Sequence, residues 1–223
     1  MTGKRNIHNT LILVLLITPF YLNDFSNIYV KSWQWWLFID YTFAKLFPLL
    51  LVGWLIKDGK TKHYEIGLDP QPVLSFFIVF IVITLIGTIL DQNLYKLIAK
   101  IPGYPALGAM PSIKSPFWNW VDLTFGLLMV AIVEELIFRG YMFSVISEHT
   151  GNATFIVIIS SLAFGLIHWS GGLHVVYITS IIGAVFMIAY IKTDSLPSIM
   201  LSHLAINFID FADVIPKSIF KFI

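Results

Sequence analysis

The chain contains no cysteine, so disulfides, thiol nucleophiles and Cys-type zinc sites are excluded together. Charge is scarce as well. Asp, Glu, Lys and Arg make up 12% of 223 residues, and the formal net charge is +1. No extended basic patch can be built from that balance, which argues against nucleic acid as a partner. Internal repeats and low-complexity tracts are missing too, so neither a solenoid nor a disordered linker is encoded.

What is abundant is apolar: 57% of the residues are hydrophobic, well above a soluble domain. Several windows reach the roughly 20 apolar residues that cross about 30 Å of hydrocarbon as a helix. The expected fold is all-α, a polytopic transmembrane helical bundle of about seven spans forming one integral membrane domain over 1–223. An interfacial segment would make eight helices.

Lys4 and Arg5 precede an apolar run over 11–22 that is similar to the leading part of a signal peptide. The bulky Thr18-Pro19-Phe20-Tyr21 stands where a small-residue cleavage site belongs, so the run reads as a retained first span. Trp33, Trp35 and Trp36 open a second span reaching about Ile56, with Trp54 at the opposite interface and Asp40 and Lys45 inside, able to pair or to snorkel. Asp69-Pro70-Gln71-Pro72 ends a polar loop before a third span over 73–90. Apolar residues at helical spacing over 90–101 predict a short interfacial helix. The Pro- and Gly-rich stretch that follows, within 91–116, is either a lid or a surface strap. Ser115-Pro116 carries N-cap and N1 chemistry for a fourth span ending near Ser147. A fifth runs from Ala153, capped by Asn152, to about Trp169, a sixth from His174 to Ile191, and a seventh from Leu196 to Phe211. Lys and Arg divide six against six between the two sides, so only the dominance of the first span places the N-terminus inside.

The fourth span holds Glu134-Glu135-Leu136-Ile137-Phe138-Arg139-Gly140. At the centre of a spanning helix each such charge costs roughly 2.5–3.5 kcal/mol on insertion scales, so the cluster needs a purpose. Glu135 and Arg139 are i and i+4, the geometry of an ion pair, while Glu134 is rotated by about 100°. Phe164 and His168 repeat the spacing on the fifth span, and His203 and Asn207 on the seventh. Counted from their turns, Glu134 and His168 lie roughly 20 and 23 Å deep, His203 about 10 Å and Asn207 about 16 Å. All four can converge in one pocket.

Glu134-Glu135-x-x-x-Arg139, Phe164-x-x-x-His168 and His203-x-x-x-Asn207, in that order on three membrane helices, resemble the CPBP (CAAX protease and bacteriocin-processing) family. This is the Abi group of intramembrane proteases, which includes the eukaryotic CAAX prenyl endopeptidase. The similarity spans 117–211, the expected catalytic core, and leaves 1–116 as N-terminal spans and interfacial segment. It implies peptide-bond hydrolysis within the membrane, with Glu134, His168, His203 and Asn207 lining the site. The substrate it implies is a membrane-associated or lipidated peptide or protein; the small chain without an evident organellar presequence separately suggests a multi-pass place in a prokaryotic inner membrane.

The residues suggest their own chemistry. Glu134 can act as general base on a water that His168 orients, Asn207 and His203 can donate to the oxyanion, and Glu135 with Arg139 can hold the first carboxylate in place. No cofactor is favoured. The alternative is Zn2+ on Glu134, His168 and His203, a metalloendopeptidase arrangement; it would leave Glu135 as base, which Arg139 is placed to occupy, and it lacks HExxH spacing. Two non-hydrolytic readings stand beside these: an ion- or proton-coupled transporter, and an immunity or binding protein of the same fold.

Overall fold

The computed structural model describes the backbone of residues 2–222 and the side chains of residues 7–222. The charges of Lys4 and Arg5, expected to lead the first span, lie outside the described side chains. Seven helices follow one another: α1 Thr2–Tyr29, α2 Trp33–Lys57, α3 Val73–Ile98, α4 over 116–147, α5 Ala153–Leu166, α6 Leu173–Thr193 and α7 Leu196–Phe211. Among the described residues there is no strand. Helices α1, α2, α3 and α6 are long and apolar enough to cross a membrane. Large apolar side chains such as Leu50, Leu74 and Phe77 point outward from them, as a lipid-facing surface requires. The protein is an integral membrane helical bundle.

Local chemistry sets the ends of these helices. Ser115 Oγ accepts from Trp118 N at 3.5 Å and Asn152 Oδ1 accepts from Phe155 N at 3.1 Å, each satisfying an orphan donor of the first turn. Asp194 ends α6 in a left-handed conformation, which its short polar side chain tolerates better than most. Helix α6 then packs along α5 and α3, and α7 lies between α3 and α4. This brings α4, α5 and α7, the three motif-bearing helices, around one interior.

Two helices depart from regular α geometry. In α2 the segment Asp40–Leu46 is π-helical, and in α4 both Asp122–Gly126 and Leu136–Tyr141 are. A π turn is wider than an α turn and commonly marks functional positions. In α2 it places Asp40 and Lys45, five residues apart, on one face. They form a buried ion pair, so pairing rather than snorkelling is observed.

Three expectations are corrected. The separate interfacial helix over 90–101 does not exist: α3 continues unbroken to Ile98. Gln92 and Asn93 turn inward, where Gln92 donates to Asp210 at 3.2 Å and Asn93 Nδ2 donates to the Phe220 carbonyl at 2.7 Å, while Lys96 and Lys100 stay exposed. The fifth helix stops at Leu166 rather than near Trp169. His168 leaves the α path with φ −104° and ψ 24°, and such irregular backbone at membrane depth is tolerated because it is buried in protein and lines a cavity. Trp36 does not join the aromatic belt; it is buried, donating Nε1 to Asn27 Oδ1 at 2.8 Å.

The connection over 99–115 is a pinned strap. Leu107 N donates to the Ser170 carbonyl at 2.8 Å, Ala109 N to the Asn27 carbonyl at 3.1 Å, and Leu173 N to the Tyr104 carbonyl at 3.0 Å. Asn27 is the hub: its Nδ2 donates to Asp24 and to Ser170 Oγ, at 2.9 and 3.0 Å, while Asp24 Oδ2 accepts from Ser170 N at 2.6 Å. The ends of α1, α2 and α5 are thereby tied to the strap. Asn27→Ala should lower stability by roughly 1–3 kcal/mol, since buried partners lose their hydrogen bonds, and should raise proteolysis within 99–115. Unchanged unfolding and unchanged cleavage would show that the hub does not hold the strap.

Candidate active site

Glu134 and Glu135 end the central α segment of α4, immediately before the π turn Leu136–Tyr141 that contains Arg139. Close packing surrounds this turn. A Cβ on Gly140 would lie 2.9 Å from the Ile66 carbonyl oxygen, so the motif's glycine is required by the loop folded against it. Glu135 and Arg139 are fully buried, and Arg139 Nη1 donates to Glu135 Oε1 at 3.0 Å. The guanidinium also lies over two rings, 3.9 Å from the Phe164 centre and 5.1 Å from that of Phe186, a cation–π arrangement strengthened by desolvation.

His203 reaches the same carboxylate from α7. Its Nδ1 lies 2.7 Å from Glu135 Oε1. A carboxylate only accepts, so Nδ1 carries the proton and the opposite nitrogen is left for chemistry. That nitrogen, Nε2, is 3.9 Å from Glu134 Oε2. Glu134 Oε2 is buried and receives no hydrogen bond. Arg139 therefore occupies Glu135 as the i, i+4 spacing predicts, and Glu134 remains the unpaired carboxylate.

His168 is held differently. Its Nδ1 lies 3.2 Å from the Phe164 carbonyl, which can only accept, so the neutral ring presents Nε2 as an acceptor. The Phe164 ring meets both imidazoles edge-on, with centroid distances of 5.4 Å to His168 and 6.0 Å to His203, and Phe186 flanks His203 at 5.7 Å. Asn207, one turn beyond His203, is half-buried. Glu134, His168, His203 and Asn207 all line one cavity of about 610 Å³. The structure thus gathers all six residues singled out in the sequence, four around the cavity and Glu135 with Arg139 behind them.

The bond between His203 and Glu135 was not foreseen, because spacing within a helix carries no information about partners on other helices. Asp24 and Asp122 also line the cavity and were passed over; the available signal was a carboxylate in an otherwise apolar span. Among the described residues no three His, Cys, Asp or Glu side chains are grouped as metal ligands. Glu134, His168 and His203 do not form such a group.

Removing Arg139 would leave Glu135 as a buried charge facing only His203. Arg139→Met should destabilise the protein by about 3–5 kcal/mol, the usual effect of deleting one partner of a buried ion pair, measured as unfolding in detergent micelles. A loss below about 1 kcal/mol, as for an exposed pair, would place the guanidinium outside the core network.

Residues 116–209 match the family described as type II CAAX prenyl endopeptidase Rce1-like. No curated protein and no solved structure matches the chain. The matched segment carries Glu134, Glu135, Arg139, Phe164, His168, His203 and Asn207, the residues on which the resemblance rested. Over residues 116–209, somewhat less than half of the chain, the protein is similar to the type II CAAX prenyl endopeptidase Rce1-like family.

Proposed function

We propose that this protein is an intramembrane endopeptidase that hydrolyses a peptide bond of a membrane-associated or lipidated substrate, using water activated by Glu134. The observation that carries the reading is a buried carboxylate without a hydrogen-bond donor, facing an imidazole at 3.9 Å and sharing a cavity with a second imidazole and an amide. The similarity of residues 116–209 to a CAAX prenyl endopeptidase family supports the substrate class, and the helical bundle supports a multi-pass membrane location.

Each role follows from donors and acceptors. Water donates one hydrogen to Glu134 and the other to Nε2 of His168. Glu134 takes a proton as the oxygen attacks the scissile carbonyl, and the oxyanion is received by Asn207 Nδ2 and by His203 Nε2–H. Because His203 Nδ1 already donates to Glu135, Nε2 can donate only from the doubly protonated ring. Glu134 then returns its proton to the leaving nitrogen, the C–N bond breaks, and an acid and an amine depart. Arg139 touches no reacting atom; it positions Glu135, which positions His203.

This reading draws no step through a metal. Chelation of the purified protein should leave cleavage intact, with no gain on adding zinc; activity that disappears with chelator and returns with zinc would replace the scheme by metal-assisted hydrolysis. Glu134→Gln should lower kcat/KM for a lipidated peptide by about 10²–10⁴, the usual contribution of a general base, while folded yield is kept. Asn207→Ala should lower kcat by roughly 10²–10³ with little change in KM, as for an oxyanion donor. Cleavage that survives Glu134→Gln would remove Glu134 from the role of base, whereas a cellular phenotype unchanged by Glu134→Gln would return the chain to the immunity or transport readings.

A further inference from the structure

The strap is pinned along only part of its length. The backbone hydrogen bonds that hold it fall on Tyr104, Leu107, Gly108 and Ala109. Over 110–114, among the described residues, no backbone N–H or carbonyl makes a hydrogen bond. The same stretch is extended. Pro111 and Pro116 drive the residues before them, Met110 and Ser115, out of the helical region, and Ser115 has φ −90° and ψ 119°. Over 102–115 the chain makes no turn or bend, and no residue of 110–114 has a positive φ. Burial alternates with a period of two: Pro111 and Ile113 are half-buried, while Met110, Ser112 and Lys114 are exposed. This is the pattern of a β-strand with one face inward, here without a second strand beside it.

The open stretch lies at the mouth of the cavity that holds Glu134. Met110, Pro111, Ser112 and Ile113 line that cavity. So do Asn27 near the end of α1, Trp36 near the start of α2, Asn119 and Val175 in the first turns of α4 and α6, and Phe211 at the end of α7. Successive spans alternate in direction, so these helix ends fall on one side of the bundle, where the strap crosses. Asn119 precedes Glu134 by 15 positions on α4. That is roughly 22 Å at 1.5 Å per residue, a distance covered by about seven extended peptide residues.

We infer that 110–114 is an open β-edge to which the main chain of an extended peptide substrate adds as it enters the cavity. An unpaired strand presents N–H and C=O groups that a second chain can join whatever its side chains. The incoming peptide has the matching need. To reach Glu134 it must be unwound, and unwound backbone groups entering an apolar interior are costly unless they find partners. The inference rests on the hydrolytic reading and names the form in which that site takes its substrate: an extended segment, recognised through its backbone about seven residues from the bond cleaved.

The test measures binding without turnover, so its failure is distinct from failure of the catalytic scheme. The full-length Glu134→Gln protein in phosphatidylcholine nanodiscs is titrated with a palmitoylated peptide of mixed Ala, Val, Thr and Ser, with empty nanodiscs subtracted. At about twelve residues the peptide reaches from Glu134 to the strap and along it. Methylating its backbone nitrogens one at a time should weaken binding about three- to tenfold at every second position of one stretch, the effect of losing a single main-chain hydrogen bond. Positions between should change little. On the protein, Ser112→Pro and Ile113→Pro each remove an N–H that makes no bond in the folded chain. Neighbouring N–H groups of a strand point to opposite sides, so one of these variants should weaken binding about three- to tenfold relative to Ser112→Ala or Ile113→Ala at the same position, and the other should not. The methylation series decides the matter if a proline variant fails to fold. No binding of the peptide, losses without a two-residue period, or equal effects of the two prolines would overturn the inference.

Discussion

One oxygen, Oε1 of Glu135, organises the interior of this bundle. It accepts from Arg139 on its own helix and from His203 on α7, so a single carboxylate joins two spans far apart in sequence and fixes the protonated nitrogen of the imidazole. In an apolar interior such a bond has no competing water, and an unpaired member would be strongly penalised. Arg139, fully buried, is enclosed by Glu135 and by the faces of Phe164 and Phe186. The same two rings flank the imidazoles. The ion pair, the aromatic cage and the two histidines are consequently one packed unit, and Glu134 projects from its edge into the cavity.

The irregular backbone serves this arrangement. A regular α-helix could carry Glu134 and Arg139, but the π turn over Leu136–Tyr141 alters the register of the residues that follow. The π segments beginning at Asp40 and Asp122 do the same where Tyr41 of α2 meets Asp122 of α4. Helix α5 contributes by stopping early: at 14 residues, or roughly 21 Å, it is shorter than the hydrocarbon layer. Its remaining path is the turn that presents His168 to the cavity. Polar groups deep in the bundle are thus supplied by wide turns and a shortened helix, while α1, α3 and α6 stay regular.

Much of this was legible in the sequence because membrane helices are read from composition and periodic spacing. The seven helices, the caps at Ser115 and Asn152, the Glu135–Arg139 pair and the convergence of Glu134, His168, His203 and Asn207 all follow from spacing and depth. The continuation of α3 to Ile98 was not legible, since Gln92 and Asn93 look solvent-facing until their partners Asp210 and Phe220, more than a hundred residues away, are known. The π turns have no propensity signature, so the face shared by Asp40 and Lys45 could be named only as one of two options. The Glu135–His203 bond is likewise a property of packing between helices.

The central claim is that Glu135 couples α4 to α7 through His203. A double-mutant cycle of Glu135→Gln and His203→Asn, read as unfolding free energy in mixed micelles, tests it directly. A coupling of about 2 kcal/mol or more is expected for contacting residues in one buried network. Single effects that add within about 0.5 kcal/mol, as for independent sites, would contradict the account.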